Sequence, residues 1–181
     1  MKKISSDFFQ RDALIVAPDL LGKYIVRKYD SGEIERFKIT EVEVYRGKED
    51  KACHAAKGRT KRTEVMFHKG GKAYVYLIYG IYWMLNFVTG QENEPQAILI
   101  RGVEGYPGPG KLTNRLKITG DFYGELLTSD RIWLEDAGEK PAYTQTPRIG
   151  IDYAEEWKDI CWRFIVKTDS QHTRNKENQA F

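Results

Sequence analysis

The apolar residues of this chain come in short runs bounded by glycine, proline or polar turns, and none approaches the roughly 20 residues needed to cross a bilayer. Runs of that length build strands and short helices. Residues 23–29 and 36–45 read as two strands joined by an Asp30-Ser31-Gly32 hairpin turn. Residues 73–79 and 81–88 form a second pair around Gly80, followed by a strand over 97–103. Strands at 131–134, 148–151 and 162–167 would complete a sheet. Asp12 caps a helix through Ala17 that Pro18 bends and Leu20-Leu21-Gly22 ends, and shorter helices are predicted over 111–117 and near 122–127. Few helices set between many strands argue for an α+β fold with a mixed, mostly antiparallel, curved sheet. The 181 residues fit a single domain over 1–168, with a polar tail at 169–181 that is expected to fray.

Residues 46–72 break this pattern. They show no steady apolar period, contain Gly47, Gly58 and Gly70-Gly71, and read as a long loop with at most a short helix near Ala52. Long loops in compact domains are usually functional or disordered. Nine Lys and Arg against three acids give this window +6, so within a net charge of +3 the rest of the chain carries −3. A concentrated basic segment points to a polyanion partner, although a solvated charged loop has the same composition.

Aromatics make up 13% of the chain, with 11 Tyr against 8 Phe and 4 Trp, and tyrosine suits half-wet surfaces. Cations beside exposed rings are how proteins hold nucleic acid, phosphates going to the cations and bases to the rings. The stretch Tyr74 to Trp83 holds five large aromatics in ten residues around Gly80. Tyr79 can therefore stand at a strand tip as a wedge into a base stack, while Tyr76, of opposite parity, points elsewhere; a hairpin core would use the same pattern.

Strict alternation puts Phe37, Ile39, Glu41, Glu43 and Tyr45 on one face of the second strand. A carboxylate against apolar rings has its charged form disfavoured, which suits a general base, while an exposed strand face or pairing with nearby Lys and Arg is the plainer alternative. The neighbours Cys53 and His54 support neither a metal site nor a nucleophile, because no matching ligand spacing accompanies them and Cys161 stands far away. Phosphate-loop, dinucleotide and zinc-deaminase motifs are missing. Without a Cys framework or an apolar signal region after Met1-Lys2-Lys3, a reducing intracellular setting is expected.

In order along the chain, Glu41-Val42-Glu43-Val44-Tyr45, the Glu49-Asp50 to His54 run, Arg62-Thr63-Glu64-Val65-Met66-Phe67 and Tyr74 to Asn86 resemble the alkyladenine (3-methyladenine) DNA glycosylase family. The likeness continues through Ala97 to Arg101, Gly108-Pro109-Gly110-Lys111-Leu112, Pro147-Arg148-Ile149-Gly150-Ile151 and Trp162-Arg163-Phe164. It implies an enzyme that flips alkylated or deaminated purines (3-methyladenine, 7-methylguanine, hypoxanthine, ethenoadenine) from duplex DNA and hydrolyses the N-glycosidic bond. Glu43 matches the carboxylate that activates water, and Arg101 a basic residue near that water. Tyr45, His54 and Tyr76 match residues that stack on and contact the flipped base. Asn86 matches the residue that crowds the amino group of normal guanine, and Tyr79 the side chain that fills the gap in the duplex. Lys57, Arg59, Lys61 and Arg62 in the basic loop are expected to hold DNA phosphates. No cofactor or metal is implied, and no lysine takes a catalytic role, so the product would be an intact abasic site.

The resemblance further implies work on the genome, in the nucleoid of a prokaryotic cytoplasm or in a eukaryotic nucleus, and a monomer that scans DNA without membrane association. One departure is visible. Only Gly102 to Pro107 separates Arg101 from Gly108, where family members commonly carry a longer, charged helical insertion. Two other readings remain from the residues: a noncatalytic nucleic-acid-binding module with the same basic and aromatic surface, and a metal-dependent nuclease using Glu41 and Glu43. Glu43 discriminates, since a pure binder gains little from a buried anion near DNA.

Overall fold

The computed structural model describes residues 1–167, so the predicted tail lies outside the described residues. The strands are β1 (Lys2–Lys3), β2 (Tyr24–Lys28), β3 (Ile34–Arg46), β4 (Ala73–Ile78), β5 (Tyr82–Val88), β6 (Gln96–Val103), β7 (Tyr106–Pro107), β8 (Ile132–Asp136), β9 (Tyr143–Thr146) and β10 (Arg163–Val166). They form one sheet in the order β1-β8-β2-β3-β6-β5-β4, with β10 joining β3 to β9 and β7 beside β6, and every pairing is antiparallel. With two short α-helices, α1 (Ala13–Leu20) and α2 (Pro109–Arg115), the fold is α+β and forms a single domain. None of the described helices is long and apolar enough to cross a membrane.

The 13-residue β3 is the hub. Along one edge it passes from β2 (Ile34 to Lys38) to β10 (Glu41 to Glu43), while its other edge pairs with β6. The alternation predicted for β3 fails in its middle. A β-bulge at Thr40–Glu41 shifts the register against β6, so Phe37 and Ile39 share the main core with Val42 and Val44, and Glu41 and Glu43 fall on the opposite face. One extra residue exchanges the faces for everything beyond it. Gly102 stands across from the bulge, where a Cβ would lie 3.2 Å from Thr40 Oγ1 and 3.3 Å from Glu41 Cβ.

Against the core face, α1 packs Ala13, Val16, Ala17 and Leu20 with the apolar side chains of β3 and β6. Asp12 caps it by accepting from the Leu14 N–H at 2.9 Å, and Pro18 is carried inside one continuous helix. The helix predicted at 111–117 starts two residues earlier, because Pro109 supplies a ready first-turn φ and needs no N–H partner. That predicted near 122–127 reduces to a 3₁₀ turn at Gly120–Phe122, followed by backbone that bonds to the β4 start. Residues 148–151 form no strand. Arg148 is drawn inward, Gly150 sits at φ +75°, and β9 takes the β10 edge instead.

The long basic segment is an ordered wall. It folds into 3₁₀ turns at His54–Lys57, the short helix expected near Ala52, and at Glu64–Phe67. Cys53, Ala55, Val65, Met66 and Phe67 form with Tyr74, Val88 and Ala97 a second apolar cluster, which Tyr45 and Tyr76 border. Apolar side chains spaced without a helical or strand period anchored this loop, which is why periodicity could not locate them.

Candidate active site

The face of the sheet opposite α1 carries a cavity of about 310 Å³, within the range of small-ligand sites. β3 contributes Tyr45, β4 Tyr76, β5 Asn86 and β6 Leu99 and Arg101, while the basic segment adds His54 and Arg62. Ile149, Gly150 and Tyr153 close the remaining side, and Tyr79 lies at the β4–β5 end.

Glu43 lies immediately behind this lining, with none of its surface exposed. Its Oε1 accepts the Ile149 N–H at 2.8 Å, and its Oε2 accepts the Tyr45 hydroxyl at 2.9 Å and Arg101 Nη1 at 3.4 Å. Burial raises the Glu43 pKa, opposed by Arg101, the Ile149 amide, the Tyr45 hydroxyl and Arg163. A carboxylate in this position is a stronger base than an exposed one. Glu41 behaves differently: one of its oxygens accepts Arg101 Nε at 3.0 Å and Arg163 Nε at 2.7 Å. A ladder Arg163–Glu41–Arg101–Glu43 therefore crosses β10, β3 and β6. Glu41 follows the plainer of its two readings, a strand carboxylate paired with arginines.

The rings are kept uncharged. Burial raises the phenols of Tyr45 and Tyr74, and that of Tyr76 to about 12. Burial, with help from Arg62 and Lys57, lowers His54 to about 4, so its imidazole is neutral at neutral pH. His54 Nδ1 lies 2.8 Å from the Tyr74 hydroxyl, and its ring meets Tyr76 at 4.7 Å between centroids. The thiol of Cys53 is pushed up to about 12 by burial, which disables it as a nucleophile. Asn86 is buried and locked, donating from Nδ2 to the carbonyls of Tyr74 at 3.1 Å and Met84 at 3.4 Å.

At the cavity's edge, Tyr79 and Gly80 both have left-handed backbone, φ +53° and +69°, in a turn closed by the Ile81 N–H to the Ile78 carbonyl at 3.1 Å. A tyrosine in that conformation is strained. Its side chain is nonetheless 85% exposed, the largest exposure of any apolar ring in the described chain. Trp83 points the other way, onto the main core and against Gly120. Among the basic-loop residues, Lys57, Lys61 and Arg62 are exposed, and the Arg62 guanidinium lies 5.1 Å above the Tyr76 ring at the cavity. Arg59 is occupied by Glu64, with contacts of 2.8 and 2.6 Å.

A sequence model of the family described as methylpurine-DNA glycosylase matches residues 7–107 and 106–170. The chain belongs to this family. Two relatives carry the name of a 3-methyladenine DNA glycosylase. One, from Legionella pneumophila (strain Lens), is 43% identical over 176 residues, covering 92% of this chain and 96% of its own. The other, from Clostridium novyi (strain NT), is 39% identical, covering 97% of this chain and 100% of its own. The two matched segments of the methylpurine-DNA glycosylase family overlap at Tyr106–Pro107, inside the short connection between Arg101 and Gly108.

All the residues expected at the base pocket converge on one cavity: Tyr45, His54, Tyr76, Asn86 and Arg101 line it, and Glu43 supports it from behind. Sequence reasoning missed Tyr74, Ile149 and Tyr153. Tyr74 was legible by its strand parity with Tyr76. The Ile149 amide was not, because a backbone donor leaves no residue-type signal.

Proposed function

We propose that the protein is a monofunctional DNA glycosylase that removes alkylated or deaminated purines, 3-methyladenine, 7-methylguanine, hypoxanthine or ethenoadenine, from duplex DNA. The observation that carries this reading is the buried Glu43, held by Tyr45, Arg101 and the Ile149 amide beside an aromatic cavity of base size.

A base inside a duplex is out of reach, so it must be extruded, at a cost of a few kcal/mol that is smaller for a poorly paired damaged base. Tyr79, held outward on its strained turn, is suited to fill the vacated gap, and Lys57, Lys61 and Arg62 to hold the phosphates around it. Arg59 serves there only by leaving Glu64. Tyr45, Tyr76 and neutral His54 would receive the purine, and uncharged electron-rich rings favour the cationic character of 3-methyladenine and 7-methylguanine. The Asn86 amide, held by the carbonyls of Tyr74 and Met84, is placed to crowd the amino group of normal guanine.

Breaking the glycosidic bond places its electron pair on the departing base and positive character on the sugar. Water then adds to C1′ while Glu43 takes its proton, and Arg101 helps seat that water beside the carboxylate. The products are a free base and a C1′ hydroxyl abasic site. Neutral bases need a proton as they leave. Among the described residues no lysine lines the cavity, which supports hydrolysis without a covalent amine intermediate. Action as a monomer is the simplest state for an enzyme that scans DNA. A DNA substrate requires the genome's compartment, and the bacterial sources of the relatives favour the nucleoid.

The test is single-turnover base release from duplexes containing hypoxanthine, ethenoadenine or 7-methylguanine, with EDTA present, read as alkali-labile sites. Wild-type release that collapses in Glu43→Gln, with DNA binding retained, is the expected result. Binding without release from any substrate favours the noncatalytic module, and strand breaks that need no alkali and form only with added divalent ion favour the nuclease.

A further inference from the structure

The Pro147-Arg148-Ile149-Gly150-Ile151 stretch carries no role in the chemistry above except through the Ile149 amide. Arg148, next to it, is 5% exposed. Its guanidinium binds Asp50 through both ends, Nη1 to Oδ2 at 2.6 Å and Nη2 to Oδ1 at 2.9 Å. It also donates to the carbonyl of Val44 at 2.9 Å and to that of Trp157 at 3.2 Å. The rings of Tyr45 and Trp162 lie 4.9 and 5.2 Å from its central carbon, and its buried Nε has no hydrogen-bond partner among the described residues.

Several of these contacts reach the surroundings of Glu43. Val44 and Tyr45 follow Glu43 on β3, and Tyr45 donates to it. Asp50 caps the start of the basic wall by accepting the N–H groups of Arg46 at 3.2 Å and Ala52 at 3.0 Å. Ile149, one peptide bond away, donates to Glu43 from a segment that belongs to no strand. An irregular segment has no ladder to fix its amide, so a side-chain anchor must.

We infer that Arg148 is a positioning residue: locked to Asp50 and held between Tyr45 and Trp162, it aims the Ile149 amide and the Tyr45 hydroxyl at the two oxygens of Glu43. This rests on Glu43 being the base proposed above. The other groups facing Glu43 are Glu41 on β3, Tyr76 on β4, Arg101 on β6 and Arg163 on β10. They are contributed by strands and do not depend on Arg148.

The experiment measures single-turnover excision of hypoxanthine from duplex DNA against pH, with melting temperature and duplex affinity, for wild type, Glu43→Gln, Arg148→Lys and Trp162→Leu. Arg148→Lys retains the charge but loses the two-ended geometry, so a change in the profile reports positioning. Expected in Arg148→Lys is a rate at least about tenfold lower at saturating enzyme with duplex affinity unchanged. The acid limb moves to higher pH, because fewer donors favour ionised Glu43. Trp162→Leu removes one ring and no charge, and shifts the limb in the same direction by less. An unmoved limb and rate in folded Arg148→Lys, with only the melting temperature reduced, overturns the inference. If Arg148→Lys does not fold, an unmoved limb in Trp162→Leu overturns it. Wild-type activity that survives Glu43→Gln defeats the catalytic reading itself, a separate result.

Discussion

Glu43 and Asp50 are both carboxylates with no exposed surface, seven positions apart in the chain, and they are treated in opposite ways. Asp50 receives four donors, two of them from one guanidinium at 2.6 and 2.9 Å. Glu43 receives three, and its only charged donor stands at 3.4 Å. A buried charge costs several kcal/mol unless it is closely paired, and the close two-ended pairing of Asp50 with Arg148 holds the wall in place. Glu43 is left less compensated than its burial requires, and the deficit keeps it basic. With the proposed function, stability falls to Asp50 and reactivity to Glu43, a division that equal burial by itself does not draw.

The comparison can be broken most directly by exchanging charge for amide at each position. Glu43→Gln should slow base excision by about 10²–10⁴-fold, measured in single turnover, without weakening the fold. The same variant should melt at or above the wild-type temperature. A pKa raised on folding gives stability that is present at low pH and lost as pH rises through the raised value, so the advantage of Gln should grow as pH rises toward neutrality. Asp50→Asn leaves Arg148 buried without its counter-charge and should lower stability by about 3–5 kcal/mol in denaturant titrations. Equal melting behaviour in the two variants would erase the distinction.

Smaller changes sharpen it. Glu41→Gln frees Arg101 to face Glu43 alone and removes a neighbouring anion, so the acid limb of the pH–rate profile should move down by about half a unit. A limb that moves upward would show that Glu41 holds Arg101 in place for Glu43. The smallest effect concerns His54, whose pKa is lowered from 6.5 to about 4 by burial. Its contribution to stability is present above 6.5 and lost as pH falls through about 4. Melting temperature should therefore decline across that window, and His54→Gln should remove that part of the decline.

The strand pairs about Asp30-Ser31-Gly32 and Gly80, the Asp12-capped helix and the exposed tip at Tyr79 were legible because each depends on neighbours within a few residues. Ordered motifs spread along most of the chain also singled out Tyr45, His54, Tyr76 and Asn86, which share one cavity, but not Tyr74, Ile149 or Tyr153 beside them. The face on which Glu43 lies was not legible: unbroken alternation puts it with Phe37 and Ile39, and only the bulge opposite Gly102 separates them. Nor was the fate of residues 148–151, whose extended, β-branched composition suits a strand while Arg148 is drawn inward by Asp50, 98 positions earlier.

Local periodicity and turn chemistry, written in the sequence, therefore determined which segments become strands and helices and which residue types are available for chemistry. The tertiary structure decided which carboxylate is buried under-compensated, which guanidinium is spent on Asp50 and which backbone N–H reaches Glu43. Desolvation and hydrogen-bond geometry depend on what lies across the sheet, and segments far apart in the chain set that only when they pack together.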